Sequence, residues 1–91
     1  MQHSDSRPLK KAGLEEKAVA DELLLYDPEQ ERAVSLNSSA TMIWSLCDGT
    51  RTTDDIAGSL ASGLGVTPED LLEDVRTAIW DMFLNGLIDF E

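Results

Sequence analysis

The sequence predicts an α+β domain in which a three-stranded antiparallel sheet precedes three helices, and three observations carry that prediction. Short apolar runs bounded by turn residues fill positions 14–36. After Asn37 the apolar period changes from that of a strand to that of a helix. Start signals at Thr52 and Thr67 and stops at Gly49, Gly65 and Gly86 then divide the rest into three helical segments.

Residues 1 to about 12 are polar and basic, contain Pro8 and show no periodicity, which predicts a mobile N-terminal arm ahead of a folded domain over 13–91. Leu23–Tyr26 is a short apolar strand candidate. Asp27-Pro28-Glu29-Gln30-Glu31 has turn chemistry, with the φ of Pro28 preset, and Arg32–Leu36 alternates as a partner strand. The segment from Leu14 to Val19 is placed on the other side of Leu23–Tyr26, with Ala20-Asp21-Glu22 as the turn. Asn37, Ser38 and Ser39 are all N-cap residues, and Ala40, Ile43, Trp44 and Cys47 repeat at helical spacing up to Asp48-Gly49. Thr52 to Asp55 forms a capping-box variant ahead of Ile56, Ala57, Leu60 and Leu64. Thr67-Pro68-Glu69-Asp70 is the clearest start: a capping hydroxyl, a proline whose missing N–H costs nothing there, and two acids favoured by the dipole. The third helix carries an apolar stripe of Leu72, Val75, Ile79, Met82 and Phe83, widened by Leu71 and Ala78. A length of roughly 20 residues, about 30 Å, is expected, with Gly86 as C-cap and Leu87–Phe90 as a packed tail.

Charge narrows the function. The formal net charge is -11, and from Asn37 onward Arg51 and Arg76 are the only basic residues. Such a surface repels nucleic-acid phosphates and anionic lipid faces alike, although a charge far from zero also serves solubility alone. Cys47 has no disulfide partner within the chain, there is no apolar signal-like segment, and no run approaches a membrane span. A cytoplasmic protein is expected.

Catalysis is not supported. His3 is the only histidine and falls in the arm, while Cys47 falls on the core stripe of the first helix, so no nucleophile–base pair and no zinc-ligand spacing can be assembled. Gly63 and Gly65 lack the context of a dinucleotide site. Glu69, Asp70, Glu73 and Asp74 read as helix-start charges facing water rather than an acid/base pair, and Trp44 and Trp80 as core or rim anchors. Neither an enzyme nor a bound cofactor or metal is expected.

The run from Tyr26 to Gly49 resembles the PqqD family of pyrroloquinoline-quinone biosynthesis. Leu36-Asn37, Ala40, Ile43-Trp44, Leu46, Asp48-Gly49-Thr50-Arg51-Thr52 and Ile56 carry the likeness, with Asp74-Val75 and Leu84-Asn85-Gly86-Leu87-Ile88 further on. The likeness extends from about Leu14 to Glu91. It implies a winged-helix-like fold that recognises ribosomally made precursor peptides, the leader adding as an extra strand to the third strand and lying beside the third helix. Carried onto this chain, the implied peptide-binding residues are Arg32, Ala33, Val34, Ser35 and Leu36, with Leu71, Asp74, Val75 and Ala78 on the helix. Leu36-Asn37 and Asp48-Gly49 are read as structural, a strand end with a cap and a helix stop.

The expectation is therefore a non-catalytic peptide chaperone that binds a leader by strand addition and presents it to a modifying enzyme, often a radical-SAM enzyme in the systems resembled. An acidic protein–protein adaptor outside peptide modification is the alternative. A winged-helix DNA-binding regulator ranks below both, because the would-be recognition helix turns Glu69, Asp70, Glu73 and Asp74 towards phosphates. An exposed edge strand can also pair with its own copy, which leaves a homodimer open.

Overall fold

The structure, a computed structural model, describes residues 6–90. Eight elements follow in order: β1 (Pro8–Lys10), β2 (Glu15–Val19), β3 (Glu22–Asp27), β4 (Arg32–Leu36), α1 (Ser38–Ser45), α2 (Thr53–Leu64), α3 (Pro68–Leu84) and β5 (Ile88–Phe90). The expected α+β order holds, with β2-β3-β4 as an antiparallel three-stranded sheet and a second, two-stranded β1-β5 sheet in addition.

Register follows the side-chain alternation of the strands. Leu25 pairs with Val34 and Leu23 with Leu36, so these apolar residues share the inner face, while Tyr26 opposite Ala33 and Leu24 opposite Ser35 lie on the outer one. All five residues of β2 are exposed, and its hairpin with β3 projects as a wing that turns at Ala20, whose φ is 55°. Leu25, Trp44, Ile56, Val75, Ile79 and Ile88 form the centre of the core, each 2% exposed or less.

The helix ends behave as their chemistry requires. Asn37 accepts a hydrogen bond from the Ala40 amide at 2.9 Å, and Thr52 and Asp55 complete a reciprocal capping box. Thr67 stands at the N-cap of α3 without a side-chain cap bond, so Pro68 and the acids Glu69 and Asp70 define that start. At the other end the Leu87 amide bonds the Met82 carbonyl and the Gly86 amide bonds the Phe83 carbonyl, a Schellman closure with Gly86 at φ 72°. The helix has 17 residues rather than the expected 20 or so, and the chain leaves it directly into β5.

The arm and the tail are where the structure departs from expectation. Residues 1–5 of the arm expected over 1–12 lie outside the described residues. Pro8–Lys10, by contrast, form β1, and the tail expected at Leu87–Phe90 is largely its partner β5, in the register Pro8 to Phe90, Leu9 to Asp89 and Lys10 to Ile88. On its other side β1 meets the loop after α1, where the Lys10 amide donates to the Cys47 carbonyl at 3.0 Å and the Gly49 amide to the Pro8 carbonyl at 2.9 Å. Pro8 is fully buried, the Lys10 ammonium lies 5.5 Å from the Trp44 ring centroid, and Lys11 bonds Asp27 at 3.0 Å. Those partners are 16 to 82 positions away in the sequence, so no local pattern announces them.

Candidate functional site: a groove between β4 and α3

β4 is an edge strand whose second side pairs with no strand among the described residues. Beside it a groove of about 380 Å³ opens between β4 and the C-terminal half of α3, closed at one end by α1. Leu36, Ile43, Met82 and Leu87 give it an apolar floor continuous with the core, and Val34 and Ala78 add small apolar walls. Asn37 and Ser39 at the start of α1 and Thr77, Asp81 and Asn85 on α3 form the polar rim.

Local folding explains each wall. Alternation along β4 turns Val34 and Leu36 inwards and leaves Ala33 and Ser35 exposed. The Asn37 cap turns the chain sharply from strand into α1, which brings Ala40 and Ile43 to the groove, and Thr41 Oγ1 donates to the Leu36 carbonyl at 3.3 Å across that corner. On α3, Thr77, Asp81 and Asn85 follow at four-residue intervals and form a ridge along the side facing β4. Arg32 ties the two walls together by donating from Nη2 to Asn85 Oδ1 at 3.2 Å.

Of the residues inferred for binding, Val34, Ser35, Leu36 and Ala78 line the groove. Arg32 bounds its end through Asn85, and Ala33 is exposed on the opposite face of the strand. The rest of the inferred helix face, Leu71, Asp74 and Val75, lies N-terminal to the part of α3 that lines the groove. Val75 is a core residue at 2% exposure, Leu71 packs half-buried against the core, and Asp74 is exposed outside the groove lining. α2 packs against α3, and Asp54 in its first turn meets Arg76 at 3.7 Å. The lining of the groove by α3 begins at the next residue, Thr77.

Thr77, Asp81, Met82, Asn85 and Leu87, and Ser39, Ala40 and Ile43 on α1, line the groove without having been singled out as binding residues. One local signal was available in the sequence: Asp81 is an acid in the last turn of a helix, where the dipole disfavours it.

The other edge of the sheet is built differently. β2 carries Glu15, Glu16 and Lys17 and is exposed throughout, with no groove residue along it, a charged edge of the kind that discourages strand addition. On the α3 face turned away from the groove, Trp80 and Phe83 stack at 5.4 Å between centroids, and Phe83 meets Phe90 at 5.1 Å.

The Cys47 thiol is fully buried, bonds the Ile43 carbonyl at 3.3 Å, and is pushed up to about 11 by burial. The carboxyls with shifted acidity, Asp27, Asp48 and Asp55, are lowered by structural hydrogen bonds and lie outside the groove. No cluster of three or more metal-ligating side chains occurs among the described residues, and no described helix is long and apolar enough to cross a membrane.

Comparison with known proteins agrees with this architecture. A family model described as "Coenzyme PQQ synthesis protein D (PqqD)" matches residues 22–88. Among solved structures, "TbiB1 in Complex with the TbiA(beta) Leader Peptide" is similar with a TM-score of 0.76 at 16% sequence identity, covering 89% of this chain and 94% of that one. No curated protein matches the chain.

Proposed function

The chain belongs to the PqqD family, and from that premise we propose that it is a non-catalytic recognition element that captures the leader of a ribosomally made precursor peptide and presents it to a modifying enzyme. The observation that carries this reading is the unpaired edge of β4 beside an apolar-floored groove. An extended peptide laid along β4 satisfies the backbone groups of the edge with its own, which supplies affinity with little regard to sequence. Every second side chain of that peptide then points to one face, where Leu36, Ile43 and Met82 offer an apolar seat. TbiB1, whose fold this chain shares, has been solved with a leader peptide bound. The partner enzyme in this reading is a peptide-modifying one, such as the radical-SAM enzymes that work with members of the family.

An amide NMR titration of the labelled protein with leader peptides encoded near its own gene tests the reading, with a DNA duplex as control. Shifts gathered along Arg32–Leu36 and Thr77–Asn85 are expected. A folded monomer whose spectrum no such peptide moves overturns leader capture, and shifts produced by the duplex instead return the DNA-binding alternative.

A further inference from the structure

The groove carries a single charge, and that charge is out of place for the helix that bears it. Asp81 is the only charged side chain among the groove-lining residues. It stands in the last turn of α3, where exposed carbonyls favour a cation, and that turn contains no basic residue to offset it. No cation among the described residues pairs with its carboxylate, since the ion pairs there are Lys11 with Asp27, Arg51 with Asp48 and Arg76 with Asp54. Arg32, at the same end of the groove, is held by Asn85 Oδ1, and Asn85 Nδ2 donates to the backbone carbonyl of Asp81 at 2.8 Å. The amide of Asn85 is thus engaged at both ends, while the Asp81 side chain accepts no hydrogen bond from any described residue.

We propose that Asp81 is the specificity determinant of the groove and selects a Lys or Arg in the captured peptide. This deepens the leader-capture reading and rests on it. A strand added along β4 turns alternate residues inwards, so an apolar side chain seated on the floor and a basic one two positions away share the groove face. The second of these meets the Thr77–Asp81–Asn85 ridge, where Asp81 supplies the carboxylate and Thr77 a further hydroxyl acceptor. The cation relieves the unfavourable charge at the helix end while it binds. The net charge of -11 adds attraction at longer range for the same basic segment.

The test pans a displayed library of random peptides against the immobilised full chain, against Asp81→Asn and Asp81→Lys, and against Thr77→Trp, which fills the groove from an exposed position. Peptides selected by the unaltered chain are expected to carry Lys or Arg two positions from a large apolar residue. Asp81→Asn weakens the best of them about fivefold at low salt, as does Lys→Met in the peptide, and the two changes together cost no more than either alone. Asp81→Lys selects Asp or Glu at that position instead. Asp81→Asn also melts slightly higher than the unaltered chain, because it removes a charge the helix dipole disfavours; a purely structural role for Asp81 gives a lower melting temperature. Basic residues as frequent with Asp81→Asn as with the unaltered chain, or losses that add, overturn the assignment while leaving leader capture standing. If no peptide is selected, or Thr77→Trp fails to block those that are, the groove reading itself falls and the role of Asp81 falls with it.

Discussion

Removal of residues 1–10 separates a structural arm from a mobile one. The cut takes away β1, the bond from the Lys10 amide to the Cys47 carbonyl, the bond from the Gly49 amide to the Pro8 carbonyl, and the buried ring of Pro8. Two hydrogen bonds to the loop at about 1 kcal/mol each, and a similar amount from the β1–β5 ladder, amount to roughly 4 kcal/mol. Burial of Pro8 adds about 2 kcal/mol. Against this, three residues no longer need to be ordered, which returns about 1 kcal/mol each. A net loss of about 3 kcal/mol follows, and for a domain of this size that lowers Tm by roughly 15 °C. Thermal and urea melts of the full and shortened chains, followed by circular dichroism and by fluorescence of the buried Trp44, measure it directly. A shortened chain that melts within about 3 °C of the full one, with the same fluorescence maximum, refutes the reasoning and means that β1 contributes nothing in solution.

Four further outcomes follow from the same structure. Lys11 and the backbone amides of Gln30 and Glu29 hold the Asp27 carboxyl below its ordinary value, and Asp48 and Asp55 are held down by bonds from Thr50 and Thr52. A lowered folded value means stability that is present above about pH 4 and is lost as pH falls below it, so acid melts should steepen there and Asp27→Asn should flatten part of that slope. Lys11 works at the other limit: its raised value gives stability that is kept below the ordinary lysine range and lost as pH climbs through the raised value. Cys47, buried and pushed up to about 11, should leave an aromatic disulfide reagent unreacted in the native protein at pH 8 and react fully once urea unfolds it; rapid native labelling contradicts the burial. Gly86→Ala should cost about 1 kcal/mol in a urea melt, because φ 72° is strained for a residue with a Cβ while the nearest atom to that Cβ, Gln30 Nε2 at 3.9 Å, leaves it room.

Much of the groove was legible one wall at a time. The strand wall follows from alternation, since Val34 and Leu36 must face inwards together once either one does. The helix wall does not follow so simply. The apolar stripe of α3 includes Val75, Ala78 and Met82 alike, and periodicity assigns them one face without saying which of them a neighbouring helix covers. Val75 lies wholly in the core, Ala78 lines the groove, and Met82 belongs to both as part of the groove floor.

By itself the sequence determined the features that act over a few residues: the caps at Asn37 and Thr52, the glycine closures at Gly65 and Gly86, and the β3–β4 hairpin. Each of these depends on bonds or periods that close within one or two turns, so the residues that make them stand next to one another in the chain. Tertiary structure decided that Pro8–Lys10 is a strand, that the tail is its partner, and that α3 lines the groove from Thr77 onward. Those outcomes depend on backbone groups and helix faces meeting partners far along the chain, and neither propensity nor period carries that information.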